Sequence, residues 1–148
     1  MILTSPSFDD GGMIPKKFTC DGGNINPELH MQNVPAAAKS LALVMHDPDA
    51  PRAGGFTHWV VWNIAPATAV IKQESIPPGA SEGMNSAASG YMGPCPHGGT
   101  HHYEFRLYAL DVALRALPAG SGRAELEAAM QEHIIEEALL VGLYARPS

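Results

Sequence analysis

The chain has only two cysteines, Cys20 and Cys95, among its 148 residues. Two cysteines make no disulfide framework in a domain of this size, and neither belongs to a CxxC pair. Reduced thiols are therefore expected, and zinc or redox chemistry through cysteine is not. Positive charge is scarce as well. Nine Lys and Arg stand against 15 Asp and Glu, for a net charge of −6, whereas holding nucleic acid by displacing counterions needs the opposite balance. That total does not speak against a local pocket for a small anion. Long hydrophobic runs are missing: no stretch approaches the roughly 18 apolar residues of a membrane-spanning helix. The opening MILTSPSFDD has neither the basic segment nor the apolar core of a secretory signal. The chain thus reads as cytoplasmic, soluble and not membrane-spanning. Repeats, low-complexity tracts and linkers are also lacking. The length fits one domain over residues 1–148 that buries roughly two-thirds of its unfolded surface.

What is present is a strand-rich pattern. SLALVMH (40–46) is a continuous apolar run that ends in a polar loop, as expected of a strand buried on both faces. FTHWVVWNI (56–64) is dense in aromatic and β-branched residues. A period of two places Phe56, His58, Val60, Trp62 and Ile64 on one face. YEFRLYALD (103–111) alternates, with Tyr103, Phe105, Leu107 and Ala109 facing one way and Glu104 and Arg106 the other. LLVGLYA (139–145) reads as a closing strand whose Gly142 marks a bulge or close packing. One helix is expected over 123–139, from the four-residue recurrence of Leu126, Met130 and Ile134. Ser121 is its candidate N-cap, Glu125 and Glu127 sit near the positive end of its dipole, and His133 is read as a core or boundary residue. Long loops at 18–37, 47–55 and 77–100 hold most of the 13 prolines and 15 glycines, and loops of that length in a compact domain are often functional. Strands first, one late helix and long connections imply a mainly β fold, an antiparallel β-sandwich with one peripheral helix.

Two of the loops carry the chemistry. In HDPDAPRAGGFTHW (46–59), Pro48 and Pro51 stiffen the backbone around Asp47 and Asp49, and a turn returns the chain to the strand that carries His58. GPCPHGGTHHYEF (93–105) supplies His97, His101, His102 and Tyr103. Three readings compete if the loops converge. A metal site would use His58, His101 and an aspartate, although no HExxH or other recognised metal spacing is present. A hydrolytic site would use an Asp–His base to activate Cys95, Thr100 or Ser89. No GxSxG elbow occurs, however, and Cys95 stands between two prolines with no sign of a helix N-terminus to lower its thiol pKa. An anion pocket would use imidazole N–H groups, glycine-loop amides and the tyrosine hydroxyl as donors to a phosphate or carboxylate. Asp47 would then orient a histidine and favour its imidazolium. The plainest alternative is that the histidines merely tie loops together.

The order DPDAP, a histidine opening an apolar strand that ends in WNI, then GYMGPCPHGGTHHYEFRLYALD resembles the phosphatidylethanolamine-binding protein family. It is most similar to the bacterial branch of Raf-kinase-inhibitor-like proteins. The opening LTSPSFDDGGMIPKKFTCDGGNINPEL and the close MQEHIIEEALLVGLYAR share the likeness. The resemblance implies a Greek-key β-sandwich with a small pocket at one end that takes phosphate, carboxylate or a phospholipid headgroup. Its pocket positions fall on Asp47, Asp49, Ala50, Pro51, His58, Gly93, Pro94, His101 and Tyr103. His102 is expected to point away from His101, and His97 has no assigned role. No catalytic residue, metal or cofactor is implied, so the expectation is a non-enzymatic binding and regulatory protein. A protein kinase or protease as inhibited partner, and a homodimer, are further implications of the resemblance. The alternative is a metal-dependent or Cys/His hydrolytic enzyme using the same pocket.

Overall fold

In the computed structural model, which describes residues 1–147, the apolar and alternating segments become strands of two antiparallel sheets. In chain order the elements are β1 (Ile2–Thr4), β2 (Leu29–Gln32), β3 (Ser40–Asp47), β4 (Phe56–Ile64), β5 (Val70–Ile71), β6 (Ser81–Glu82), β7 (His101–Leu110), α1 (Arg123–Met130) and β8 (Ile134–Tyr144). The smaller sheet runs β1-β2-β5 and the larger β6-β4-β3-β7-β8. The mainly β, antiparallel character with a single α-helix among the described residues is as the sequence reading expects.

Both faces of β3 are covered, which is why its sequence is an unbroken apolar run rather than an alternation. On one face Leu41, Leu43 and Met45 join Trp59, Val61, Phe105 and Leu107 in a cluster shared with Leu3, Leu29, Met31 and Ile71 of the smaller sheet. On the other face Ala42 and Val44 join Val60, Trp62, Tyr108 and Leu110 beneath Leu126 and Met130 of α1. Burying each of those two helix side chains contributes about 1.5–3 kcal/mol. Tyr103, Phe105, Leu107 and Ala109 all lie in the first cluster, in agreement with their alternation. Gly142 is a close-packing position: a Cβ there would sit 2.5 Å from Ile14 Cγ1 and 2.9 Å from Phe8 Cε2.

Four expectations are corrected. The helix ends at Met130, and the segment from Ile134 to Leu139 is the first half of β8, paired with β7 from Leu110 to Arg106. Glu132 adopts a left-handed φ of 69° that breaks the helical path, and beyond it the long open edge of β7 recruits the β-branched pair Ile134–Ile135. Consequently His133 sits in the turn between the two elements, half-exposed, with its Nδ1 2.8 Å from Asp111 Oδ1. The N-cap is Gly122 rather than Ser121. Glu125 Oε1 accepts the Gly122 N–H at 3.4 Å, while the Ser121 carbonyl is engaged by the Met84 N–H. In β4 the single face expected for Phe56, His58, Val60, Trp62 and Ile64 does not hold: Phe56 and His58 turn to the Tyr103 side of the sheet, while Val60 and Trp62 pack under α1. Asn63, at φ 55°, interrupts the pleat, so Ile64 joins Trp59 and Val61 instead of Val60 and Trp62.

Finally, Cys20 and Cys95 form a disulfide across 75 residues of sequence, not a pair of free thiols. The fold lays segment 18–24 along segment 91–95. Cys20 N–H donates to Pro94 O at 3.1 Å, Gly93 N–H to Asn24 Oδ1 at 2.7 Å and Tyr91 O–H to Phe18 O at 2.7 Å. These contacts hold the two cysteine Cα atoms 5.5 Å apart, within disulfide range.

Candidate functional site

Because β3 lies between β4 and β7, the end of β3, the start of β4 and the start of β7 meet at one rim of the larger sheet. The register sets His46 opposite Thr57 on one side and Glu104 on the other. The loop after β3 and the loop before β7 close over that rim and leave a pocket of about 350 Å³, within the size range of small-molecule sites. Asp47, Ala50, Pro51, Arg52, Phe56 and His58 line one side. Met92, Gly93, Cys95, Pro96, His97, His101 and Tyr103 line the other. The two loops that the sequence singles out do converge.

A β-bulge delivers His58. Met45 pairs with Trp59 and His46 with Thr57, so His58 is the extra residue of β4. A bulge re-aims a side chain, and here it swings the imidazole over the pocket, 5.2 Å from the Tyr103 ring and 4.7 Å from the Phe56 ring. His58 Nδ1 lies 2.6 Å from the Met92 carbonyl oxygen. A carbonyl can only accept, so the hydrogen is on Nδ1 and Nε2 is the free ring nitrogen.

Asp47 organises the second histidine. It is buried, its Oδ1 accepts the Asp49 N–H at 2.8 Å, and its Oδ2 accepts His101 Nδ1–H at 2.6 Å. That again leaves Nε2 free. Tyr103, two residues along the same strand face, has a fully buried hydroxyl with no hydrogen-bond partner. Burial, then the Asp47 and Asp49 carboxylates, push its phenol pKa well up, so the group stays a donor at any ordinary pH. Burial pushes the His58 pKa below its ordinary value, opposed by the Met92 carbonyl and Asp47. For His58, therefore, desolvation outweighs the carboxylate's pull toward the imidazolium.

Not every expected residue faces the pocket. Asp49 turns to the surface, where its Oδ2 accepts both the backbone N–H of His102 at 2.8 Å and its Nδ1–H at 2.7 Å. His102 accordingly points away from His101, as alternation predicts. Gly93 lines the cavity, but its amide is already given to Asn24. Pro94 does not line it, and its carbonyl is used by Cys20. His97 does line it, at the exposed rim. Sequence reasoning missed Arg52, Phe56, Met92 and Pro96. Phe56 was discoverable, being two residues before His58 on the same strand, and the Arg52 guanidinium sits 5.6 Å from its ring centroid. No local signal marked Met92.

Hydrolysis through Cys95 is ruled out by its disulfide, and neither Ser89 nor Thr100 lines the pocket. Among the described residues no three His, Cys, Asp or Glu side chains gather in a way that could hold a metal ion. No helix among them is long and apolar enough to cross a membrane.

The family model described as phosphatidylethanolamine-binding protein matches residues 4–145. The chain belongs to that family. A UPF0098 protein of Methanothermobacter thermautotrophicus is 46% identical to it over 152 aligned positions, covering 99% of each chain. The crystal structure of a phosphatidylethanolamine-binding protein homolog from Chlamydia trachomatis superimposes with a TM-score of 0.93 at 40% identity, covering 99% of this chain and 97% of that one. YbcL of Escherichia coli, described as a new member of the mammalian family, gives a TM-score of 0.91 at 29% identity, covering 98% of each. Membership of the phosphatidylethanolamine-binding protein family suggests a binding protein.

Proposed function

We propose that this single-domain protein is a non-enzymatic binding protein whose pocket holds a small oxyanion, a phosphate or carboxylate group, free or at the end of a phospholipid headgroup. The carrying observation is the buried, partnerless Tyr103 hydroxyl, set between two histidines whose Nδ1 atoms are already committed. A buried hydroxyl without a partner costs about 1–3 kcal/mol, a cost that a ligand oxygen removes by accepting its hydrogen. Apolar walls from Ala50, Pro51, Phe56, Met92 and Pro96 exclude water around that contact and strengthen it. Arg52 and His97 at the mouth suit the approach of an anion to a protein that is negative overall.

Calorimetric titration with phosphate, phosphoethanolamine and acetate tests the reading. Binding at one site per chain, lost in His101→Ala, is expected. Absence of binding for all three ligands, or undiminished binding by His101→Ala, overturns it.

A further inference from the structure

Neither pocket histidine can choose its tautomer. The Met92 carbonyl, an obligate acceptor 2.6 Å from His58 Nδ1, keeps the hydrogen on that nitrogen. Asp47 Oδ2, 2.6 Å from His101 Nδ1, does the same for the second ring, while Asp47 Oδ1 is occupied by the Asp49 amide. Neutral rings therefore turn two lone pairs into the cavity, not two N–H groups. With the Gly93 amide given to Asn24, the floor's hydrogen-bond pattern is acceptor, acceptor and donor, the donor being Tyr103 O–H. An oxyanion laid on that floor meets lone pair against lone pair at two positions, in a site where unmatched polar atoms are costly.

The anion becomes a good ligand once a hydrogen lies between each Nε2 and its oxygen. That hydrogen arrives from solvent, which makes an imidazolium, or with the ligand as a P–O–H group. A phosphate monoester has an ionisable oxygen whose second pKa is about 6, so it can carry such a hydrogen near neutrality. A phosphodiester has none and needs both protons on the rings.

Resting on the oxyanion reading above, we propose that the pocket binds phosphate together with at least one proton and is selective for phosphate monoester groups over phosphodiesters. The locked tautomers make the proton a stoichiometric part of the complex. The groups facing His58 do not supply it beforehand. From β3 come Asp47, already committed, and His46; from β7 come His101 and the neutral Tyr103; from the mouth come Arg52 and His97. Burial of His58 adds to the effect by disfavouring its charged form in the empty pocket.

Methyl phosphate and dimethyl phosphate serve as probes, without an amine to confuse the proton count. Titration calorimetry at pH 8 in two buffers of different ionisation enthalpy should show about one proton or more taken up per methyl phosphate bound. The affinity should fall about tenfold per pH unit between pH 7 and 9, and dimethyl phosphate should bind at least about tenfold more weakly. Long-range ¹⁵N–¹H NMR of the imidazoles at pH 8 should show Nε2 of His58 bare in the free protein and Nε2 of at least one of His58 and His101 gaining a hydrogen on binding. His58→Gln, whose amide donates without ionising, should take up fewer protons and show a flatter pH profile. Binding without proton uptake, protonation confined to His46 or His97, or equal affinity for the diester overturns this inference and leaves the oxyanion pocket standing. No binding of either probe at any pH overturns both.

Discussion

Removing the Cys20–Cys95 bridge should lower the melting temperature by about 10 °C and loosen the pocket at the same time. The bridge closes a loop of 75 residues, for which the chain-entropy relation gives about 4.5 kcal/mol of stabilisation at 25 °C. The realised value should be smaller, because residual structure in the unfolded chain already limits part of the freedom that the bridge removes. Segments 18–24 and 91–95 are also joined by the Cys20–Pro94, Asn24–Gly93 and Tyr91–Phe18 hydrogen bonds, which persist when the sulfurs part. A loss of about 3–4 kcal/mol remains, and a domain near 150 residues shifts by about 2–4 °C per kcal/mol. Cys95 also lines the pocket between Gly93 and Pro96, so its release adds an ordering cost to binding, and phosphate affinity should drop several-fold. The assay is thermal denaturation of the oxidised protein with and without a phosphine reductant, beside a Cys20→Ala/Cys95→Ala double variant, with thiol titration of each sample. A shift under about 2 °C would mean that the hydrogen bonds alone hold the two segments. Two free thiols in the untreated protein would refute the premise itself.

Tyr103→Phe should leave the ligand-free protein as stable or up to about 1 kcal/mol more stable, because it deletes a buried hydroxyl without a partner. The same change should weaken phosphate binding about tenfold, or about 1.4 kcal/mol; a clear loss of stability with unchanged affinity would assign the hydroxyl a structural role. Gly55→Ala should cost about 3 kcal/mol in urea unfolding. The position has φ 74°, and a Cβ there would strike the Asp47 carbonyl and stand 2.7 Å from His46 Nε2; a neutral result would show that the loop relaxes freely. Stability of the ligand-free protein should decline as the pH falls through about 6.5. The folded pKa of His58 lies below that ordinary value, so both states are neutral at pH 8, whereas at lower pH the unfolded chain takes up a proton that the folded one does not. Urea titrations at pH 8, 6.5 and 5 should show the decline, reduced in His58→Gln and offset by added phosphate; a flat or rising profile would count against the burial of a neutral His58.

The larger sheet was legible because its strands are long and buried in ways that leave a periodic trace. β3 reads as an unbroken apolar run since both of its faces are covered, and β7 as an alternation since Glu104 and Arg106 face outward. The short strands β1, β2, β5 and β6 left no trace, because two to four residues cannot establish a period. The helix ran too far because Ile134 continues a four-residue spacing by coincidence, and the competing partner, the edge of β7, is remote in sequence. The two site loops stood out by composition; His101 and His102 fell where alternation placed them, whereas His58 left the face expected to carry Val60 and Trp62. The disulfide could not be read: cysteine counting is blind to proximity, and the hydrogen bonds that align Cys20 with Cys95 involve backbone groups, Asn24 and Tyr91. The bulge that aims His58 was equally hidden, since it shows only when β4 is set against β3.

The two aspartates of DPDAP explain why these loops make a pocket and not a loose rim. They are separated by Pro48 and reach opposite faces of β7: Asp47 takes the inward His101 ring, and Asp49 takes the outward His102 ring together with its backbone N–H. Successive residues of a strand point to opposite faces, so His101–His102 offers a handle on each side, and the loop grips both. This clamp extends β7 two residues beyond the start expected at Tyr103, out to His101, and it fixes the His101 ring before any ligand arrives. The inner contact is buried and the outer one exposed. The exposed pair therefore contributes little energy of its own, and its effect is geometric, through the backbone N–H that anchors the strand's first turn of the ladder. Asp49, expected at the pocket, holds in place the strand that carries His101 and Tyr103.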